Sequence, residues 1–295
     1  MTDNEYLEAV LRDQTLVPGG QELTELEEQR RNVEGILSRE LSHANPYVRK
    51  GGSLAKGTMN RDVYDLDLPT YFAHDENGAG ETLEEIYNTV ADALLKDYSV
   101  ERRRSALRLR DKDAQKDTHV DLVPGRYFDA TMGDAWIYQH NAEKCRLKTN
   151  LDVHIDHIRD SGVRPTIRLT KLWNIREGVK LKTFVLELLV VDLLKQRKGS
   201  ALTTQLRWLL EQFRDGADAL RVVDPANLNN DLTPALTAVK HALVLAAANT
   251  LRKIDKEGWQ TVFGQVVSVD RASAAIRIAS AVPAASQYRP HGCGT

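Results

Sequence analysis

Cysteine is nearly absent: Cys145 and Cys293 are the two in 295 residues. Two thiols cannot make a disulfide framework or a four-thiolate zinc site, so a cross-linked secreted scaffold and a cysteine-rich metal module are both excluded. A surplus of positive charge is missing as well. Lys and Arg total 40 against 42 for Asp and Glu, giving a formal net charge of −2 and a pI near 6.5. A protein that grips nucleic acid mainly through phosphates carries a basic excess, so that role is disfavoured except through a local basic stripe. There is no long apolar run. Phe184 to Leu194 is broken by Glu187 and Asp192 and falls short of the ~20 residues a bilayer-spanning helix needs. The N-terminal MTDNEYLEAVLRDQ carries acids where a secretory signal carries a basic stretch. No membrane association is expected, and a reducing cytoplasm is the expected location.

What is present is globular in proportion, 42% hydrophobic and 28% charged. At roughly 100–200 residues per domain the length allows one large or two modest domains. Gln21 to about Ser42 carries Leu23, Leu26, Val33, Ile36, Leu37 and Leu41 at helical spacing and predicts one long helix ended before Asn45-Pro46. A Gly-Gly-Ser turn and a short helical stretch follow. Val63-Tyr64-Asp65-Leu66-Asp67-Leu68 then alternates with period two, a strand pattern. Glu81 to Lys96 places Leu83, Ile86, Val90, Ala93 and Leu94 on one helix face. Ser105 to Arg110 and Thr118 to Val123 alternate on either side of a polar turn and predict a hairpin. Beyond Pro124 the composition turns helical, over 154–161, 164–177, 183–198, 203–213 and 234–253. The residues from Gln265 onward have no firm period and are expected to form a tail of uncertain order.

Lys50-Gly51-Gly52-Ser53-Leu54-Ala55-Lys56-Gly57-Thr58 pairs glycines that let the backbone approach a ligand with residues that can open a helix whose free N–H groups favour phosphate. It is not a Walker loop, which needs Gly-Lys followed by Ser or Thr. Asp65 and Asp67, two apart on a strand, point to the same face and repel unless something positive lies between them. Asp121 sits in a similar alternating segment, His119-Val120-Asp121-Leu122-Val123. One such aspartate alone reads as a turn cap or a solvated group. Three of them beside a glycine-rich turn meet the demands of phosphoryl or nucleotidyl transfer through two Mg²⁺ ions, roughly 3.5–4 Å apart.

KGGSLAKGTMNRDVYDLDLPTYF resembles the catalytic segment of the CD-NTase family, which includes cyclic GMP-AMP synthase, the 2′-5′-oligoadenylate synthetases and the bacterial cyclic oligonucleotide synthases of anti-phage defence. HVDLVPGR, TNLDVHIDHIRDSG, RLTKLWNIREGVKLKTFVLELLVVDLL and DPANLNND continue the resemblance in the family's order, over about Val48 to Gly264. It implies an α+β, two-lobed, polymerase-beta-like nucleotidyltransferase fold. The catalytic core with its N-terminal helix would cover 1–145, a helical lobe 146–264 and a tail 265–295, and the long N-terminal helix would pack across both lobes. By the same resemblance Asp65, Asp67 and Asp121 are the catalytic metal ligands. Gly52 and Ser53 hold the donor triphosphate, Lys171 and Thr183 contact it, and Phe184 stacks on a base. Read by itself, Phe184 opens an apolar helix and is equally well placed for the core. The implied cofactor is Mg²⁺, two ions, with Mn²⁺ as a substitute. The implied substrates are ATP and other nucleoside triphosphates, GTP or pyrimidine nucleotides among them.

The implied reaction joins nucleoside triphosphates into a cyclic di- or trinucleotide second messenger. Its alternatives are a linear 2′-5′-oligoadenylate synthetase activated by RNA and an inactive nucleotide sensor. The charge balance disfavours the first, and three intact carboxylates disfavour the second. The zinc-bearing DNA-sensing branch would need a cysteine-rich insertion that this chain lacks, and the CCA-adding enzymes carry RNA-binding domains for which it has no room. His154 and His157 lack zinc spacing and read as solvated helix-face residues. Arg102, Arg103, Arg104, Arg108 and Arg110 form the one basic cluster, either a phosphate-binding patch or a solvated face. In some bacterial relatives the C-terminus is conjugated by ubiquitin-like machinery, and the small residues of the ending Gly292-Cys293-Gly294-Thr295 suggest the same here.

Overall fold

The computed structural model of the chain describes residues 1–112 and 119–266. In chain order the elements are α1 (Asp3–Asp13), α2 (Gln21–Glu40), β1 (Tyr47–Val48), α3 (Gly52–Lys56), β2 (Leu66–Phe72), α4 (Leu83–Leu94), β3 (Tyr98–Arg102), β4 (Leu107–Asp111) and β5 (Val120–Tyr127). They continue with β6 (Asp134–Tyr138), β7 (Arg146–Asn150), α5 (Leu151–Arg159), α6 (Arg164–Arg176), α7 (Thr183–Leu194), α8 (Leu202–Asp215), β8 (Val223–Asp224), β9 (Asn227–Asp231), α9 (Thr233–Thr237), α10 (Lys240–Glu257) and α11 (Gln260–Phe263). None of these helices is long and apolar enough to cross a membrane.

A mixed sheet runs β1-β2-β5-β4-β3, with β6 paired to β5 and β7 to β6. Strand alternation divides its two faces. Leu66 and Leu68 of β2, Leu107 and Leu109 of β4, and Val120 and Leu122 of β5 pack with Leu26, Val33 and Leu37 of α2 and with Ile86, Val90 and Leu94 of α4. Asp67 and Asp121, offset by one residue, belong to the opposite face. Capping boxes start two helices, Thr2 with Glu5 at α1 and Thr82 with Glu85 at α4. The helical lobe has its own core, formed by Ile167, Leu172 and Trp173 of α6, Leu186 and Leu189 of α7, Leu209 and Phe213 of α8, and Leu243 and Leu251 of α10. A smaller cluster of Tyr71, Tyr127, Ile137, Leu151 and Ile155 joins the sheet to α5.

Three expectations change. No single N-terminal helix spans both lobes. α2 packs into the sheet core, while Tyr6, Leu7 and Val10 of α1, a helix the sequence reading did not assign, pack into the helical lobe. The chain beyond Pro124 is not purely helical, because β5 runs through that proline and is followed by β6, β7 and the β8–β9 hairpin. Pro124 is tolerated because β4 pairs with β5 at 120–122 and β6 pairs with it at 125–127, leaving the proline between two antiparallel partners. The strand that carries Asp67 also begins later than the alternation suggested, at Leu66, and extends to Phe72. The polar turn centred on 113–118 and the tail from 267, including Cys293 and the proposed conjugation end, lie outside the described residues.

Candidate active site

The cleft between the lobes is a cavity of about 270 Å³. Seven of the eight sequence-predicted site residues line it: Gly52, Ser53, Asp65, Asp67, Lys171, Thr183 and Phe184. The eighth, Asp121, is the parallel-register partner of Asp67. A larger, open hollow of about 540 Å³ lies between α2 and β1, among Glu34, Tyr47, Arg49, Tyr127 and Met132. It holds no carboxylate cluster, so chemistry rather than size marks the functional cleft.

Local geometry explains the glycine turn. Gly52 adopts φ +53°, and a Cβ built there would lie 1.5 Å from Asp67 Oδ2, so no side chain fits. The Gly51 N–H donates to the Asp67 carbonyl at 2.9 Å, fastening the turn to the strand that bears the acid. Burial pushes the Asp67 carboxyl up to about 7, with Asp65 and Asp121 adding to the shift and Lys56 and Lys171 opposing it. Arg108, from β4, donates through Nε and NH2 to the two oxygens of Asp121 at 2.8 and 2.7 Å. His119 Nε2 lies 3.8 Å from Asp65 Oδ2 and 3.9 Å from Asp121 Oδ2. That nitrogen is screened from solvent and has no hydrogen-bond partner among the described residues.

The opposite wall is a satisfied network. Buried Glu187 of α7 accepts from Lys56 Nζ at 2.9 Å, Thr58 Oγ1 at 2.7 Å and Lys171 Nζ at 3.4 Å, and Lys171 also donates to the Thr58 carbonyl at 3.0 Å. Burial alone would raise the Glu187 carboxyl, but the two lysines and the hydrogen bonds hold it below its ordinary value. Burial lowers Lys171 against the pull of Glu187. This network crosses between the lobes, as does the reciprocal pair in which Asn60 donates to the Arg168 carbonyl and Arg168 Nε donates to Asn60 Oδ1. Phe184 packs against the helical core while facing the cleft, with Lys56 Nζ 4.6 Å from its ring centre and the His154 ring 4.8 Å away. Thr183, the first residue of α7, is exposed at the rim.

Several functional candidates were missed. His154 is not a solvated face residue: its Nε2 sits 2.7 Å from Oδ1 of buried Asp224, which also accepts from Asn230 and from the Ala226 N–H. The basic cluster is a solvated face, exposed at Arg102, Arg103 and Arg104, whose members are paired. Arg102 pairs with Asp92, Arg103 and Arg110 with Glu101, Arg104 with Gln139 and Arg108 with Asp121. Glu187 and His119 did carry signals: an acid inside an apolar run needs a partner, and His119 sits two residues before Asp121 on the same strand face.

Whether a divalent cation suits this acidic corner is decided by what the residues lack. Three carboxylates, one pushed up to about 7, and a buried nitrogen without a partner are groups that a cation would satisfy. One atom each of Asp65, His119 and Asp121 lies within 4.8 Å of the others. The residues fit such an ion.

A small mixed sheet bearing the acids and a helical lobe closing the cleft define a two-lobed nucleotidyltransferase fold. Solved CD-NTase structures share it. CdnC of Escherichia coli MS115-1, in a complex with HORMA-deltaN, superposes with a TM-score of 0.70 at 20% identity, covering 91% of this chain and 99% of that one. The CD-NTase CdnG of Bradyrhizobium diazoefficiens, in complex with GTP, gives 0.68 at 16% identity, covering 94% and 99%. The cyclic AMP-GMP synthase DncV of Vibrio cholerae gives 0.58 at 14% identity, covering 77% and 70%. No protein-family profile matches the chain, and no curated protein matches it in sequence.

Proposed function

We propose that this protein is a nucleotidyltransferase that condenses nucleoside triphosphates into a cyclic di- or trinucleotide, with release of pyrophosphate, as a second messenger of anti-phage defence. The observation that carries the reading is the pairing, in one cleft, of Asp65, Asp67 and Asp121 with Lys171, Lys56, Ser53 and the tight Gly52 turn. Asp65, Asp67 and Asp121 would hold Mg²⁺, two ions in all, which when bound supplies positive charge to the triphosphate and acidifies the acceptor hydroxyl. Gly52 and Ser53 offer backbone and hydroxyl donors to the donor triphosphate. Lys171 and Thr183 meet it from the helical lobe, and Phe184 offers a ring for a base. Fixing two nucleotides in one cleft contributes orientation and charge neutralisation. An RNA-gripping relative would need free basic surface, whereas Arg102, Arg103, Arg108 and Arg110 each pair with an acid of this chain. The likeness to structures that hold nucleotides, CdnG with GTP among them, supports the substrate class.

The test is incubation of purified protein with all four nucleoside triphosphates and Mg²⁺. A cyclic product has no terminal phosphate, so mass spectrometry should find a phosphatase-resistant species. Linear, phosphatase-sensitive chains alone would overturn the cyclase reading.

A further inference from the structure

We propose that His119 is a ligand of the catalytic cation, placing an imidazole nitrogen among the carboxylate oxygens. The inference rests on the nucleotidyltransferase reading only for the presence of a cation in this cleft.

β2 and β5 are parallel with Leu66 opposite Val120 and Asp67 opposite Asp121, so one step back along both chains sets Asp65 beside His119. Period-two alternation then directs His119 and Asp121 to the same face. The result is a square of side chains, Asp65 and Asp67 on one edge and His119 and Asp121 on the other. Nε2 of His119 lies 3.8 Å from Asp65 Oδ2 and 3.9 Å from Asp121 Oδ2, beyond the ~3.2 Å of a hydrogen bond. Two ligands of one ion, each at roughly 2.1 Å, are at most about 4.2 Å apart, and both separations fall inside that span. The nitrogen is shielded from solvent and has no hydrogen-bond partner among the described residues, and such a group bears its desolvation penalty with no hydrogen bond in return. Asp67 stands differently, its Oδ2 lying against the Gly52 turn.

A neutral imidazole is also the donor this corner can accommodate. A further carboxylate would add charge beside three acids that already repel, whereas imidazole adds a lone pair and no charge. Arg108, bound to both oxygens of Asp121, offsets part of that aspartate's charge, which leaves more of the cation's coordination to its neighbours. Nitrogen ligands suit first-row transition ions better than Mg²⁺, which prefers oxygen. The site should therefore bind Mn²⁺ more tightly than Mg²⁺.

Pulsed electron paramagnetic resonance of the full-length protein with one equivalent of Mn²⁺ and no nucleotide reads the ligand directly. Nitrogen-14 modulation is expected, replaced by the nitrogen-15 pattern when the protein is made with labelled histidine, a control that needs no substitution. His119→Asn should abolish the modulation and weaken Mn²⁺ binding about tenfold, with an unchanged circular dichroism spectrum. His119→Asp should retain a cation but shrink the preference for Mn²⁺ over Mg²⁺. Bound Mn²⁺ without nitrogen modulation, or modulation that persists in His119→Asn, would overturn the proposal. A nitrogen signal in a protein that makes no nucleotide product would sustain the proposal and sink the enzymatic reading, and product without the signal would do the reverse.

Discussion

The two walls of the cleft treat buried charge in opposite ways. On the helical wall Glu187 is enclosed by two ammonium groups and a hydroxyl, and its carboxyl is held below the ordinary range. On the sheet wall Asp67 is half-buried and faces two like charges, and its carboxyl is pushed up to about 7. The lesson is that burial does not decide the sign of a shift. The partners do. The helical wall satisfies its charges internally and so holds its shape, with Lys171 also lining the cleft, whereas the sheet wall, with Arg108 on Asp121, keeps a net negative corner at Asp65 and Asp67 that suits something positive. Structural and functional charge can be told apart on this basis inside a single cavity.

The comparison can be broken in graded ways. The largest effect is expected from Asp65→Ala with Asp67→Ala, which should abolish nucleotide synthesis while the circular dichroism spectrum stays native, because the apo protein loses only a repulsion. Retained synthesis would show that the sheet wall is not the catalytic one. Next, Glu187→Gln leaves Lys56 and Lys171 facing each other without their anion. Stability in urea unfolding should fall by about 3–5 kcal/mol, as when one partner of a buried ion pair is removed. A loss under about 1 kcal/mol would mean that the helical wall is not held by this pair.

The third prediction concerns pH. The Asp67 carboxyl is raised from 3.8 to about 7 on folding, so the folded state binds this proton more tightly than the unfolded chain does. Its contribution to stability is fully present below about pH 4 and is lost as the pH rises through 7. In EDTA, Asp67→Asn should therefore stabilise the protein at pH 8, by on the order of 2 kcal/mol, with the gain vanishing near pH 4. Thermal melts at both values give the answer, and a gain that is independent of pH would rule out the charge argument. The smallest effect is expected from His154→Ala, which removes the ring beside Phe184. Aromatic contacts of this kind are worth ~0.5–1.5 kcal/mol, so KM for nucleotide should rise about two- to tenfold with kcat little changed. A fall in kcat alone would place His154 elsewhere in the reaction.

Much of this molecule could be read from its residues because local periodicity reports it. α2, α4 and the pairing of β4 with β5 follow from apolar spacing, and the period-two pattern brought out Asp67 in β2 and Asp65 just before it, which both line the cleft. The missed parts depend on partners distant in sequence. β6 and β7 are short, and their burial is completed by α5 and by β5 on the far side of a proline that reads as a stop. His154 finds Asp224 seventy positions away, and Lys56 meets Glu187 across 131, distances over which no spacing rule operates. The basic cluster left two readings open for the same reason: a run of arginines does not reveal that acids on neighbouring strands and helices pair with it at the surface.

The lobe-bridging contacts of Lys56, Thr58 and Lys171 with Glu187 lie at the floor of the cleft, sheltered from bulk water. Counterions screen exposed charges within about 10 Å at 0.1 M salt but reach buried pairs poorly. The floor therefore acts as a weld that ionic strength leaves intact, while the mouth, with Thr183 at its rim, is open to the ions of the solvent. In this protein the open mouth of the cleft and the integrity of the cavity behind it respond to the ionic medium on separate scales.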